Sequence, residues 1–225
     1  MELKGKKIAF LGDSITEGVG VIDRVNNRYD NVMKREYGLA ETFNYGIGGT
    51  RLAHQIKASQ KPRHDLCFCG RAYDISKDAD IIVVYGGIND YLHGDAPFGE
   101  LGDTTPETFS GGVRFLMDFL MTEYPGKKIV FLTPARLCYR EGITGDAPSH
   151  HPNKRVKGEP LAKYISVIEE TAKIYGIPVF NMYENLGIDP TIPEEKEKYT
   201  SDGLHFNDLG HSIIAKRLAE FLSAL

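Results

Sequence analysis

Two short segments near opposite ends of the chain hold residue types that could do chemistry together. Gly12-Asp13-Ser14-Ile15 directly follows the apolar run Ile8-Ala9-Phe10-Leu11, so Ser14 stands where a strand hands over to a turn. Asp202-Gly203-Leu204-His205 sets a carboxylate and an imidazole three residues apart. Within one turn that spacing lets the carboxylate accept the Nδ1 proton, which fixes the tautomer and leaves Nε2 to take a proton from a serine hydroxyl. A serine hydroxyl is a poor nucleophile until a base removes its proton as it attacks. Ser14, His205 and Asp202 therefore read as nucleophile, base and orienting acid of a serine acyl hydrolase.

Such a reaction passes through a tetrahedral oxyanion that needs hydrogen-bond donors. The chain offers three: the backbone N–H of Ser14, the N–H of Gly49 and the side-chain amide of Asn89. Glycine suits the second position because backbone must approach the substrate without a Cβ in the way. Asparagine suits the third because its amide is a neutral donor at any pH. Gly48 competes with Gly49 for this role, and the spacing from Asn44 favours Gly49. Asp13 and Asp90 read as structural groups bonding loop amides near the site.

The elements that must position these residues follow from hydrophobic pattern. Ile8–Leu11, Thr42–Tyr45, Ile81–Tyr85, Ile129–Leu132 and Pro178–Met182 read as five strands, apolar on both faces as parallel strands are. Between them run helical patterns. One is capped by Asn26, bears Tyr29, Val32, Met33 and Tyr37, and ends at Gly38. A second opens at Thr105-Pro106 and is stopped by Pro125-Gly126. A third carries Leu161, Ile165, Ile168 and Ala172 and ends at Gly176; a last is capped by Asn207. This succession predicts a single α/β domain, a three-layer α/β/α sandwich on a five-stranded parallel sheet. Ligands bind such sheets beyond the carboxyl ends of the strands, and Ser14, Gly46–Gly49 and Gly87–Asp90 all fall there. Residues 135–160 form a long polar insertion, read as a lid or subunit contact, with a mobile surface loop as the equal alternative.

Taken together, these segments resemble the SGNH, or GDSL, hydrolase superfamily. Gly12-Asp13-Ser14-Ile15-Thr16 is similar to its nucleophile block, with Ile where the name has Leu. Asn44-Tyr45-Gly46-Ile47-Gly48-Gly49 resembles its second block, Gly87-Ile88-Asn89-Asp90 its Gly-x-Asn-Asp block, and Asp202-x-x-His205 its last. The four stand in the family's order and bracket residues 12 to 205. The resemblance implies a flavodoxin-like sheet, no metal or organic cofactor, and ester or thioester hydrolysis through an acyl-serine. The tight Gly-x-Ser-x-Gly elbow of another hydrolase fold is missing, since Gly18 lies four residues after Ser14.

Composition narrows the alternatives. With 225 residues, 41% hydrophobic and 26% charged, the chain can bury a sizeable core. A net charge of −4 gives no reason to expect a nucleic-acid partner. No apolar stretch approaches the roughly 20 residues needed to span a bilayer, so no membrane partner is expected. The lysines at 4, 6 and 7 precede too short an apolar run for a leader, and a cytoplasmic location is expected. Three cysteines make no disulfide framework; Cys67 and Cys69 beside His64 lack the second ligand pair of a structural zinc site. His54, His64, His93 and His211 read as surface or hydrogen-bonded histidines, and His150-His151 as a solvated turn with substrate contact as the alternative; Arg51, directly after the oxyanion glycine loop, could contact substrate or tie loops together and remains unassigned.

Taken alone, Ser14 would read as a helix cap or phosphate turn, and Asp202 and His205 as a surface turn; their joint occurrence favours catalysis. The expected substrate is a small-molecule or carbohydrate ester, with a short acyl group such as acetyl on a polar carrier. A thioesterase or acyltransferase would use the same triad. A non-catalytic carbohydrate- or nucleotide-binding module is the alternative of another class. The sequence leaves the oligomeric state open, a homo-oligomer included.

Overall fold

A strand covered on both faces must send alternate side chains into two separate cores. The computed structural model describes residues 1–225, and the three central strands of its sheet do this. Five strands, β1 (Lys7–Gly12), β2 (Glu41–Gly46), β3 (Ile81–Tyr85), β4 (Lys128–Leu132) and β5 (Val179–Phe180), form one parallel sheet in the order β2-β1-β3-β4-β5. Ile8 and Phe10 of β1 join Ile81 and Val83 of β3 and Val130 and Leu132 of β4 in one core. Ala9, Leu11, Ile82, Val84, Ile129 and Phe131 join the other.

Ten helices connect and cover the sheet: α1 (Ser14–Glu17), α2 (Arg24–Asn27), α3 (Tyr29–Tyr37), α4 (Phe68–Arg71), α5 (Ile88–His93), α6 (Phe109–Glu123), α7 (Leu161–Tyr175), α8 (Met182–Asn185), α9 (Pro193–Tyr199) and α10 (Asp208–Ala224). Helices α3 and α10 cover the first core with Tyr29, Val32 and Met33, and with Ile214, Leu218 and Leu222. Helices α6 and α7 cover the second with Val113, Leu116 and Leu120, and with Leu161, Ile165 and Ile168. Each set recurs at three- or four-residue spacing, which puts an apolar stripe on one helix face. The result is the expected three-layer α/β/α sandwich.

Several boundaries differ from the sequence pattern, each for a local reason. Asn26 caps nothing: it lies inside α2, where Asp23 is the cap and accepts from the Asn26 N–H at 3.1 Å. The chain then turns extended at Arg28 before α3 begins. Helix α6 starts at Phe109 rather than Thr105-Pro106, because Thr108 caps it by accepting from the Gly111 N–H at 3.0 Å. The preceding segment instead packs across that helix start, Pro97 and Phe98 accepting from the N–H groups of Phe109 and Ser110. Strand β5 is only two residues long, since Asn181 leaves the sheet to cap α8. Gly38 and Gly176, with φ of 67° and 65°, end α3 and α7 as the sequence predicts, and Asn207 caps α10 through two N–H bonds.

Residues 135–160 contain no helix, and one isolated bridge, Tyr139 to Ile143, is their only strand pairing. They lie against the carboxyl edge of the sheet: the Tyr91 hydroxyl donates to the Ala147 carbonyl (2.9 Å), the Ser149 hydroxyl to that of Leu92 (3.0 Å), and Cys138 N–H to that of Gly203 (2.9 Å). No helix of the chain is long and apolar enough to cross a membrane.

His211 of α10 sits in the core, Nδ1 accepting from the Tyr29 N–H at 3.2 Å and Nε2 without a partner. Burial holds its pKa down to about 4, from 6.5. Below 6.5 the unfolded chain therefore takes up a proton that the folded chain refuses, and stability from this site is lost as pH falls. Asp13 and Asp90, raised to about 6 by burial, act in the opposite sense between about 4 and 6. A comparison of variants isolates the histidine. Urea melts from pH 7 to 5 should show His211→Gln losing about 2 kcal/mol less than the unchanged protein. Parallel losses would show that His211 titrates normally in the fold.

Candidate active site

Ser14 is the first residue of α1 and 7% exposed at the end of β1. The turn that places it is specified locally. Asp13 caps α1 by accepting from the Ile15 N–H at 3.0 Å, and Gly18 closes it in a left-handed conformation. A Cβ on Gly12 would lie 1.9 Å from the Thr16 hydroxyl, so only glycine lets the helix fold back over the strand end. Asn44 of β2 holds the other side, donating to the Thr16 carbonyl (2.8 Å) and to Asp30 (3.0 Å) and accepting from the Gly46 N–H (2.9 Å).

The partner segment arrives from between α9 and α10. Asp202 Oδ1 accepts from the N–H groups of Leu204 (3.0 Å) and His205 (2.8 Å), which winds the turn around the carboxylate. Its other oxygen, Oδ2, lies 2.7 Å from His205 Nδ1, and His205 Nε2 lies 3.0 Å from Ser14 Oγ. Burial works to raise the Asp202 pKa, but the hydrogen bonds from His205 outweigh it and hold the carboxyl below its usual range. Asp202 is thus an anion against the ring, and Nδ1 carries the proton. The three expected residues form one hydrogen-bonded line.

The donor side is built from three strand ends, those of β1, β2 and β3. Gly48 commits its N–H to Glu17 Oε2 at 2.6 Å, whereas the N–H of Gly49 has no acceptor within the protein. This distinguishes the two glycines that spacing alone left close. The N–H of Ser14 belongs to the first turn of α1, where no carbonyl lies one turn back to accept it. Asn89 is more constrained than its type suggests. Its Oδ1 lies 2.9 Å from His93 Nε2, and its amide donates to the Thr50 carbonyl at 3.0 Å and, more weakly, to Asp13 at 3.3 Å. Any oxyanion must take over the hydrogen now directed at Asp13.

Asp90, the next residue, accepts from the N–H groups of Leu52 (2.9 Å) and Ala53 (3.1 Å), tying α5 to the glycine loop. Arg71, to which the sequence analysis gives no role, is a buried staple. It donates to the carbonyls of Tyr45, Gly12 and Leu66 and to the Thr50 hydroxyl, joining the ends of β1 and β2 to α4. Burial lowers its pKa to about 10. Cys67 and Cys69 are buried free thiols, with Cys69 donating to the Leu52 carbonyl at 3.3 Å.

His64 and His93 are drawn into the site, a role that the sequence analysis does not assign. A Cβ on Gly49 would lie 2.5 Å from the His64 ring, and His64, His93 and His151 follow one another at centroid separations of 6.3 and 5.7 Å. His151 is buried and parallel to Tyr139, which stands edge-on to His205. Only the four-residue step from Asn89 to His93 on one helix could have signalled any of this.

Residues 10–213 match the GDSL-like lipase/acylhydrolase family. One solved crystal structure is 31% identical, with a TM-score of 0.86 over 100% of this chain and 99% of its own. A protein from Lactobacillus plantarum is 28% identical with a TM-score of 0.77, covering 98% of both chains. A lipase/acylhydrolase from Enterococcus faecalis shares the fold at 18% identity and a TM-score of 0.63, over 97% of this chain and 96% of its own. No curated protein matches the sequence.

Gly49 has φ of +79°, and a side chain there would meet His64. Gly49→Ala should therefore destabilise by at least the ~1–2 kcal/mol of a left-handed non-glycine residue, lowering Tm by about 2–4 °C per kcal/mol. A crystal structure of the variant should show His64 displaced. An unchanged Tm with His64 in place would refute the close approach.

Proposed function

Because the chain belongs to the GDSL-like lipase/acylhydrolase family, we propose that it hydrolyses carboxylic esters through an acyl-serine, with Ser14 as nucleophile, His205 as base and Asp202 as orienting acid. The observation that carries this reading is the continuous line from Asp202 Oδ2 through His205 to Ser14 Oγ, with steps of 2.7 and 3.0 Å. In the proposed sequence Ser14 Oγ attacks the ester carbonyl as its proton passes to Nε2. The N–H groups of Ser14 and Gly49 and the Asn89 amide receive the oxyanion. The intermediate collapses, the alcohol departs with the proton from Nε2, and the acyl-serine remains. Water then attacks, giving its proton to the same nitrogen, and the carboxylic acid leaves as Ser14 recovers its hydrogen. Asp202 stays ionised throughout and stabilises the imidazolium that forms in each half.

A short acyl group on a polar carrier is the substrate class this reading favours. The cleft beside Gly49 and Asn89, about 190 Å³, is lined only by polar side chains, and the insertion over the site is rich in them. A thioester would be cleaved by the same groups, since only the leaving atom differs.

A fluorophosphonate should modify Ser14 alone among the serines, and Ser14→Ala should lower turnover of p-nitrophenyl acetate by at least about 10³-fold with an unchanged melt. Modification elsewhere, or activity surviving in the variant, would end the reading. Turnover should fall from acetate to butyrate to octanoate; the reverse order would remove the short-acyl claim.

His93 is proposed as a positioning residue, because its Nε2 fixes which way the Asn89 amide faces. His93→Leu should lower kcat about tenfold, the worth of one hydrogen bond, while KM changes little. His93→Gln, which can donate to the same oxygen, should restore most of it. Equal loss in both variants would assign His93 a packing role only.

A further inference from the structure

The polar cleft against the glycine loop has a charge that the rest of the chain does not share. Arg51, Lys57, Lys61 and Arg155 line it, with Asp95 as the only carboxylate, in a protein of net charge −4. Asp95 is already engaged: its two oxygens accept from the N–H groups of Ile56 (2.8 Å) and Lys57 (3.0 Å), and Arg155 stands 3.8 Å away. The ammonium groups of Lys57 and Lys61 make no ion pair with the protein.

Arg51 is the residue that points to a ligand. Its side chain is only 4% exposed, yet its nearest carboxylate, Asp65, lies at 3.4 Å and is itself bonded to Ser59. One Nη donates to the Gly49 carbonyl (3.0 Å) and the other to the Ser59 hydroxyl (2.9 Å), while Nε is buried with no partner. Burying a guanidinium with an unused donor and a weak counter-charge costs free energy unless an anion completes it.

The cleft also shares its walls with the proposed oxyanion donors. Arg51 holds the carbonyl of Gly49, the His64 ring packs on the same residue, and His93 holds the side chain of Asn89. A group bound there would sit beside the carbon under attack, on the same small molecule. A volume of about 190 Å³ suits one anionic head with its hydration, and guanidinium and ammonium donors suit oxygen anions.

Resting on the ester-hydrolase reading, we propose that the substrate carries a carboxylate or phosphate close to its scissile ester. Arg51, Lys57, Lys61 and Arg155 receive that anion and so select charged esters over neutral ones. The site would thus recognise the carrier through charge as well as the acyl group through size.

The test compares matched neutral and anionic esters, with the charge on either side of the bond. For the acyl side, p-nitrophenyl hemisuccinate and hemiglutarate are measured against p-nitrophenyl butyrate and valerate. For the alcohol side, 4-acetoxybenzoate and 4-acetoxyphenyl phosphate are measured against 4-acetoxybenzamide. In low salt, kcat/KM should favour the anion by about tenfold or more in at least one arm, and the ratio should approach one in 0.5 M NaCl or in the double variant Lys57→Gln, Arg155→Gln. Both altered side chains are exposed, so the melt should not move; a lowered Tm would call for Lys61→Gln as the replacement probe. Calorimetry of Ser14→Ala with the favoured anionic ester should show binding that the added double variant weakens about tenfold. No preference in any arm, or a preference that survives removal of the cations, overturns the subsite. If neither neutral nor anionic esters are cleaved, the hydrolase reading fails instead. Calorimetry with 4-acetoxyphenyl phosphate then judges the cleft separately, and binding that is absent or indifferent to the cations overturns it.

Discussion

The hydrogen bond between Ser14 Oγ and His205 Nε2 joins residues 191 apart in sequence, and the proposed chemistry depends on it. Closing a flexible loop of that length costs about 4–5 kcal/mol by the (3/2)RT ln n rule, while one such bond returns about 1 kcal/mol. The bond cannot hold the chain ends together by itself. It forms because β1 is an interior strand that stops at the carboxyl edge, and because α10 packs beside α3 under the same edge. The two cores do the joining, and the hydrogen bond inherits the geometry.

That edge is also where buried charge concentrates, and two opposing effects sort its carboxylates. Burial dominates at Asp13 and Asp90, pushing both pKa values to about 6, although each accepts backbone N–H bonds. At Asp202, which is partly exposed, hydrogen bonds from His205 win and the carboxyl stays ionised. The difference in solvent contact separates residues that hold loops from the one facing the imidazole. Arg71 compensates the cluster, its guanidinium neighbouring Asp13 while it staples the ends of β1 and β2.

Rigidity on the donor side comes from side chains that never reach a substrate carbonyl. Glu17 occupies the Gly48 amide, Arg51 the Gly49 carbonyl, and His93 the Asn89 carbonyl oxygen. The first fixes the loop beside Gly49, and the other two each remove one freedom from a group proposed to meet the oxyanion, so the donors are aimed before a substrate arrives. The same contacts make one wall common to the donors and the basic cleft, so the proposed charge recognition and bond cleavage are neighbouring tasks.

Much of this was legible in residue order. The central strands show as short apolar runs because both of their faces are buried, and Ser14, Gly49, Asn89, Asp202 and His205 stand at strand ends or in a tight turn with short, typed motifs. Local chemistry also misled where two caps competed: Asp23 rather than Asn26, and Thr108 rather than Thr105-Pro106, won the helix starts. The choice between Gly48 and Gly49 needed to know where the Glu17 carboxylate goes. The roles of Arg51, His64 and Arg71 had no periodicity or spacing to announce them, and that of His93 had only its four-residue step from Asn89. Strand alternation and turn chemistry act between near neighbours, so the chain alone determined the sheet, its flanking helices and the residues at its edge. Which amides are already spent, which cation is buried with an unused donor, and which rings line one wall were decided only in the folded state, since each depends on groups that meet across distant segments.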